Sequence, residues 1–139
     1  MPHGIIAHSP TGVFDLEALK AKAREWAGIG GLDLAPAATS AQSATYTTDL
    51  WQWPEGYKDG AKHEFKVVVI DYGVKQNILR ALIDTGADVQ IVPAQTTADV
   101  ILARKPDGVL LSTGPGDPAA TAEYAVPVIR KLVASGIPV

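Results

Sequence analysis

Two glycines around a proline, at the end of an apolar run, form the pattern in this sequence that is best suited to ligand chemistry. Residues 111–118 read Leu-Ser-Thr-Gly-Pro-Gly-Asp-Pro and directly follow the apolar run 108–111. Such a run is typical of a buried strand, and open α/β sheets bind ligands just outside the carboxyl ends of their strands. Glycine lets a backbone N–H approach a ligand because no β-carbon intervenes. Gly114 and Gly116 are therefore predicted to line a binding site.

The rest of the sequence offers few groups for other kinds of chemistry. It contains no cysteine, which excludes disulfides, thiolate metal sites and a cysteine nucleophile within these 139 residues. His3, His8 and His63 lack the mutual spacing of metal ligands, so no metal-binding residue is predicted. Residues 28–31 lack both the Gly-x-Gly-x-x-Gly pattern and a preceding strand, and no Walker A sequence is present. Dinucleotide and P-loop nucleotide sites are therefore disfavoured.

Composition narrows the class of protein and its partners. With 47% hydrophobic and 19% charged residues the chain is globular. The formal charge of −3, without a run of Lys or Arg, argues against nucleic acid or an anionic membrane as a partner. No apolar stretch reaches the roughly 20 residues that span a bilayer, and the start lacks the pattern of a signal peptide. We expect a cytoplasmic protein.

Strands and helices are predicted to alternate from residue 66 onward. A continuous β-branched run such as 66–71 is typical of a strand covered on both faces. The predicted strands are residues 66–71, 89–92, 108–111 and the opening of a fourth at 137–139. The predicted helices are one through Ile78 and Ile83 closed by Gly86, a short one capped by Thr96 or Thr97, and one through Tyr124 and Leu132 with Pro127 near its first turn and Gly136 after it. This alternation predicts a parallel sheet.

The first 65 residues are less regular. Helical spacing predicts a helix with Asp15 as its N-cap, Gly28 as its C′ residue and Trp26 on its core-facing side. Residues 44–47 alternate as in a short edge strand. The aperiodic stretch 51–65 is interpreted as a linker, in which Trp51 and Trp53 are predicted to anchor a contact between the two regions.

Several stretches, taken in order, resemble one family. Residues 71–80, 91–96 and 106–108, with the Leu-Ser-Thr-Gly-Pro-Gly-Asp-Pro stretch, are similar to the small, glutamine-hydrolysing subunit of carbamoyl-phosphate synthase, whose signature reads Leu-Ser-Asn-Gly-Pro-Gly-Asp-Pro. Residues 4–6 and 30–35 resemble the end of that subunit's amino-terminal domain. The resemblance implies that 1–62 is the carboxyl-terminal part of that domain plus a linker. It implies that 63–139 is the first half of a doubly wound, mostly parallel, flavodoxin-like class I glutamine amidotransferase domain.

The resemblance also implies a function. Such subunits hydrolyse glutamine with a Cys–His–Glu triad, and the ammonia passes to a large subunit that uses ATP and magnesium to make carbamoyl phosphate for arginine and pyrimidine synthesis. By this comparison the chain is a middle fragment without catalytic residues or cofactor of its own, and it is expected to be inactive alone. Gly114 matches the glycine whose N–H helps to form the oxyanion hole, and Gly116 matches a glycine that contacts the substrate. Thr113 replaces the usual Asn.

Three other interpretations stay open at this point. The first is that the chain as it stands is a non-catalytic module or remnant, because it lacks the nucleophile. The second is that it belongs to another class I glutamine amidotransferase. The third is that it is a flavodoxin-like protein that binds a flavin or nucleotide.

Overall fold

The computed structural model describes residues 3–60 and 63–139. The chain forms two compact units, of which the first ends at Gly30 and the second runs from Gly31 to Val139. The described part of the first unit contains α1 (Leu16–Glu25). The described part of the second unit contains α2 (Ala35–Ala38), β1 (Ala44–Tyr46), β2 (Phe65–Asp71), α3 (Gln76–Asp84), β3 (Ala87–Pro93), α4 (Ala98–Ala103), β4 (Gly108–Leu111) and α5 (Pro118–Ala134).

The second unit is built on one four-stranded sheet with the order β1-β3-β2-β4. β2 pairs in parallel with both β3 and β4, whereas β1 pairs antiparallel with β3. Val68 of β2 lies between Gln90 of β3 and Val109 of β4. The predicted α/β class with a mostly parallel, flavodoxin-like sheet is confirmed, and so is the edge strand near residue 44.

Alternate residues of β2 supply two separate cores, because successive side chains of a strand point to opposite faces. Val68 and Ile70 are fully buried in the cluster that includes Ile101 of α4 and Leu132 of α5. Val67 and Val69 belong to a second cluster with α3 and β3, whose members include Leu79, Ile83, Val89 and Ile91. The prediction that β2 is covered on both faces is confirmed.

Capping residues and glycines mark the ends of several helices. Asp15 is the N-cap of α1, and its carboxylate accepts a hydrogen bond from the Ala18 N–H at 3.0 Å. Gly86 and Gly136 follow α3 and α5 with φ of +92° and +81°, a backbone conformation that glycine adopts without a steric penalty. Thr97 rather than Thr96 occupies the N-cap position of α4.

The predicted start of α5 is wrong. The helix begins at Pro118, nine positions before Pro127, which lies inside it. Asp117 is the N-cap, and its carboxylate accepts a hydrogen bond from the Ala119 N–H at 2.9 Å. Proline at the first helical position costs nothing because that N–H has no intrahelical partner. Pro127, in contrast, has no N–H to donate to the carbonyl of Glu123, and the helix continues despite the loss.

The prediction that Trp26 belongs to a core is also wrong in the described residues. α1 ends at Glu25, and Trp26 is extended with ψ of 121° and 51% exposed. Its ring meets the His3 ring edge-on, with 5.4 Å between centroids. Gly28 has φ of +88° but comes two positions after the C-cap, so it is not the C′ residue.

The structure differs from two further predictions, for Trp51 and Trp53 and for residues 137–139. Trp51 and Trp53 are 53% and 81% exposed, and their rings lie 6.1 Å apart, so they contact each other at the surface of the second unit. Residues 137–139 form no strand, although the Pro138 carbonyl accepts a hydrogen bond from the Val109 N–H at 2.9 Å.

The predicted boundary between residues 62 and 63 falls on residue 62, which lies outside the described residues, and it stays a prediction. Residues 44–46 nevertheless share a sheet with β2, β3 and β4 through the pairing of β1 with β3. Across residues 3–60 and 63–139, none of the helices combines the length and the apolar character that a membrane crossing requires.

Candidate functional site

The candidate site lies where β2 and β4 end. The two strands are parallel neighbours, so their carboxyl ends reach the same edge of the sheet. β4 continues into residues 112–117, which we call the Gly-Pro-Gly loop, and β2 continues into Tyr72. Two hydrogen bonds join these exits: the Tyr72 N–H donates to Ser112 Oγ at 2.9 Å, and the Ser112 N–H donates to the Ile70 carbonyl at 3.2 Å.

A cavity of about 260 Å³ opens beside the Gly-Pro-Gly loop. Gly114 and Gly116, the two predicted site residues, both line it. Tyr72, Ala35 and one face of α5 provide the remaining walls. The structure thus brings both predicted residues to one concave surface, while their role toward a substrate stays a prediction.

Gly114 packs directly on the backbone of Tyr72, and a β-carbon at Gly114 would collide with the Tyr72 carbonyl oxygen. Its own N–H donates to no acceptor within the described part of the chain. An N–H without a protein acceptor is free to bind a ligand oxygen, as an oxyanion-hole donor must be. Packing alone therefore requires glycine here, and the N–H is available for chemistry.

Gly116 requires glycine for two reasons. Its φ of +96° is one that L side chains rarely adopt. A β-carbon there would also lie 2.5 Å from the Leu32 carbonyl oxygen and 2.8 Å from the Leu34 nitrogen. The Gly-Pro-Gly loop therefore touches residues far earlier in the chain, which the sequence did not predict.

Residues 31–35, which we call the 31–35 segment, run along the Gly-Pro-Gly loop. The Gly31 N–H donates to Asp117 Oδ2 at 2.7 Å, and the Asp117 N–H donates to the Leu32 carbonyl at 2.8 Å. Asp117 is half-buried, and the hydrogen bond from the Gly31 N–H, followed by that from the Ala119 N–H, lowers the pKa of its carboxyl below the ordinary value of 3.8. Asp117 thus caps α5 and ties the 31–35 segment to the loop.

Asp33 makes a second connection, in this case to α5. Its Oδ1 accepts hydrogen bonds from Thr121 Oγ1 at 3.1 Å and from the Tyr124 hydroxyl at 3.3 Å. Asp33 lies between Leu32 and Leu34, so no local signal in the sequence indicates these contacts. The partners of the 31–35 segment are close in space but 86 to 91 positions away in sequence.

Asp71, the last residue of β2, organises the exit of that strand. Its carboxylate is 4% exposed and accepts four hydrogen bonds. The donors are the Ser40 N–H at 2.8 Å, Ser40 Oγ at 2.5 Å, the Gly73 N–H at 2.9 Å and the Val74 N–H at 2.7 Å. Burial acts to raise the pKa of Asp71, but these hydrogen bonds to Ser40, Val74 and Gly73 outweigh it, and the net pKa is lowered. Asp71 is therefore a structural anion beneath the site.

Tyr72 presents a buried hydroxyl with no partner in the described residues. The side chain is 7% exposed and lines the cavity. Burial, and secondarily the proximity of Tyr124, raises the pKa of the Tyr72 phenol above its ordinary value of 10.0. The phenol therefore stays neutral well above neutral pH.

The remaining candidates bear little on this site. Among the described residues, no group of three His, Cys, Asp or Glu side chains is arranged to hold a metal ion. The Thr113 carbonyl accepts a hydrogen bond from Ser112 Oγ at 2.9 Å. Nothing in the structure distinguishes Thr113 from the Asn of the resembling family.

Comparison with known proteins gives two consistent results. A family model described as "Glutamine amidotransferase class-I" matches residues 68–139. Curated relatives named "Carbamoyl phosphate synthase small chain" match the whole length: that of Caulobacter vibrioides is 65% identical over 139 residues, covering 100% of this chain and 36% of the relative. Those of Bradyrhizobium diazoefficiens and Agrobacterium fabrum are each 56% identical, covering 99% of this chain and 35% of the relative. The chain thus spans about a third of the length of these relatives.

Proposed function

The chain belongs to the class-I glutamine amidotransferase family, and we propose that it is part of the small, glutamine-hydrolysing chain of a carbamoyl phosphate synthase. The observation that carries the proposal is the 65% identity over all 139 residues to a relative of that name. The identity extends over residues 1–67, which precede the part that the family model matches. This extension favours a carbamoyl phosphate synthase over other class I amidotransferases.

The proposed reaction converts glutamine and water into glutamate and ammonia. A thiolate attacks the carbon of the side-chain amide, and the carbonyl π electrons move onto oxygen to give an oxyanion. Gly114 would stabilise this oxyanion through its N–H, an interaction worth about 2.7–4 kcal/mol for one such donor. Collapse of the intermediate expels ammonia after protonation of the nitrogen, and water then hydrolyses the thioester. Gly116 would contact the bound glutamine.

The nucleophile must come from elsewhere in the protein, because these 139 residues contain no cysteine. In this proposal, the 139 residues supply the substrate loop and the oxyanion donor. Other residues of the protein supply the Cys, His and Glu of the triad. An activated nucleophile and its base are both needed before an oxyanion can form. The 139 residues alone are expected to release no ammonia from glutamine.

The partner in this proposal is the large subunit of the synthase, which would receive the ammonia. ATP and magnesium are assigned to that subunit. The small chain would contribute ammonia release and its delivery, in the cytoplasm, to the arginine and pyrimidine pathways.

The test uses the complete gene product, expressed with and without the large subunit of the synthase. We expect it to release ammonia from glutamine, to copurify with the large subunit, and to support glutamine-dependent formation of carbamoyl phosphate. Failure to hydrolyse glutamine, alone or in the complex, would overturn the proposal in favour of a non-catalytic module. Glutamine hydrolysis without binding to the large subunit would instead assign the chain to another class I amidotransferase.

A further inference from the structure

We propose that the 31–35 segment positions the Gly-Pro-Gly loop for the reaction, and that Asp33 is a positioning residue for the Gly114 N–H. This inference rests on the proposed function, because it concerns the same reaction. The segment precedes residues 68–139, the part that the amidotransferase family model matches. The 31–35 segment, which lies outside the matched residues, would therefore control the position of the Gly114 N–H, which lies inside them.

The first support is a reciprocal pair of hydrogen bonds between the segment and the loop. The Gly31 N–H donates to the Asp117 carboxylate, and the Asp117 N–H donates back to the Leu32 carbonyl, at 2.7 and 2.8 Å. Two bonds that run in opposite directions fix both the distance and the orientation of the paired backbones. The carboxyl-terminal end of the loop is thereby fixed to the segment.

The second support is the packing of Gly116 against the same segment. Gly116 forms an antiparallel bridge with Asp33, and the space for its β-carbon is filled by Leu32 and Leu34 backbone atoms. No side chain can be inserted between these backbones. A shift of the segment therefore moves Gly116, and with it Gly114 two positions earlier.

The third support is the attachment of the segment to α5. Asp33 Oδ1 accepts hydrogen bonds from Thr121 and Tyr124, one turn apart on the first half of the helix. Asp117, at the N-cap of the same helix, supplies the other attachment. The 31–35 segment, the loop and the start of α5 are thus connected in one hydrogen-bonded unit.

The opposite side of the loop is fixed by Tyr72, whose backbone fills the space beside Gly114. The loop is therefore held between two supports, the exit of β2 at Gly114 and the 31–35 segment at Gly116. Misplacement by about 1 Å, even from a change remote from the chemistry, can cost about 10²-fold in rate. Loosening one of the two supports should therefore affect the reaction more than the binding of glutamine.

The experiment uses the complete gene product in complex with its large subunit. Asp33→Ala removes the acceptor of both α5 hydrogen bonds, whereas Asp33→Asn keeps an oxygen at the Oδ1 position, which accepts both. We expect Asp33→Ala to lower kcat for glutamine hydrolysis about 10-fold or more with KM changed less than about twofold. Asp33→Asn should restore most of kcat. Asp99→Asn is the matched control, because it removes an exposed ion pair to Lys131 of the same helix.

A second readout does not depend on activity. Hydrogen exchange of the peptide that spans the Gly-Pro-Gly loop should be faster in Asp33→Ala than in the wild type and unchanged in Asp99→Asn. If Asp33→Ala fails to fold, the double variant Thr121→Val/Tyr124→Phe removes the same bonds from the helix side and should give the same two effects.

Unchanged kcat and unchanged loop exchange in a folded Asp33→Ala protein would overturn the inference while leaving glutamine hydrolysis intact. An equal loss in Asp33→Asn and Asp33→Ala would also overturn it, since charge rather than position would then be responsible. A wild-type complex that does not hydrolyse glutamine would instead defeat the proposed function, and the loop exchange would still test the structural coupling.

Discussion

Gly114 lies against the carbonyl of Tyr72 with no room for a β-carbon between the two residues. This contact joins the loop after β4 to the exit of β2, and it involves backbone atoms on the Tyr72 side. Main-chain atoms directly after a strand cannot move aside as a flexible side chain can. The Tyr72 backbone therefore fixes one side of Gly114, and the 31–35 segment, packed against Gly116, supports the loop from the other side.

Gly114→Ala is expected to lower kcat for glutamine hydrolysis by the complete gene product about 10²- to 10³-fold, the effect of removing one oxyanion donor. The cause is displacement of the loop by the new β-carbon. Gly30→Ala is the control, because a β-carbon at Gly30 meets nothing within 4 Å. Equal steady-state rates for Gly114→Ala and Gly30→Ala would show that Gly114 does not donate to the oxyanion.

Gly116→Ala is expected to lower the melting temperature more than Gly136→Ala. Both glycines have positive φ, +96° and +81°, so both variants carry a backbone penalty of about 1–2 kcal/mol. Only Gly116 also faces backbone atoms closer than 3 Å, whereas the position at Gly136 is open. The difference between the two variants in thermal denaturation therefore isolates the contact with Leu32. Equal melting temperatures would mean that the loop and the 31–35 segment are not in close contact in solution.

Asp71→Ala is expected to destabilise the fold by about 3 kcal/mol, since hydrogen bonds to a buried charged group contribute about 1.5–3 kcal/mol. The substitution leaves donors from Ser40, Gly73 and Val74 without their acceptor. Chemical denaturation measures the loss. The exposed Asp84, at the end of α3, provides the control variant Asp84→Ala, which should change stability by less than about 0.5 kcal/mol. A comparable change in both variants would refute the assignment of Asp71 as a structural anion.

Acid is expected to weaken the same region. The pKa values of Asp71 and Asp117 are lowered in the folded protein, so their contribution to stability is complete above the ordinary value of 3.8. That contribution is lost as the pH falls through the lower folded values. Unfolding free energies measured from pH 6 down to pH 2 should therefore decline below about pH 4. Asp71→Asn should reduce the slope, and an unchanged slope would contradict the prediction.

Tyr72→Phe is expected to leave stability unchanged or to raise it by about 1 kcal/mol, because the hydroxyl that it removes is buried without a partner. The raised pKa of Tyr72 means that the stabilising neutral form persists past pH 10.0 and is lost as the pH rises through the folded value. Alkaline titration of tyrosinate absorbance should therefore lose a component that titrates above pH 10.0 in Tyr72→Phe. A marked loss of stability would reveal a hydrogen-bond partner of the hydroxyl.

The regular part of the fold could be predicted because its signals are local. The β-branched run of β2, the helical spacing before Gly86 and the glycines after β4 each specify structure from neighbouring residues alone. The same property places Gly114 and Gly116 at the carboxyl end of a strand, where the structure has them. Periodicity and turn chemistry are sufficient for such elements.

The 31–35 segment could not be predicted, since its partners lie 86 or more positions away and no period marks them. Pro118 and Pro127 both suit a first helical turn, where proline is common, and only the N-cap hydrogen bond of Asp117 identifies Pro118 as the start of α5. Trp26 has the spacing of a core residue, yet α1 buries none of its residues in the described structure. Amphipathic spacing indicates which face could be buried, and packing decides whether it is.

Among the described strands, β4 lies at one edge of the sheet, where a further strand could pair with it. β1 pairs with the outer side of β3, while β4 pairs with β2 alone among the described strands. Val109 of β4 already donates to the Pro138 carbonyl along that open edge. A further parallel strand beside β4 would lie about 4.8 Å away and would end at the same edge as the Gly-Pro-Gly loop. A residue that follows such a strand would therefore lie about one strand spacing from Gly114.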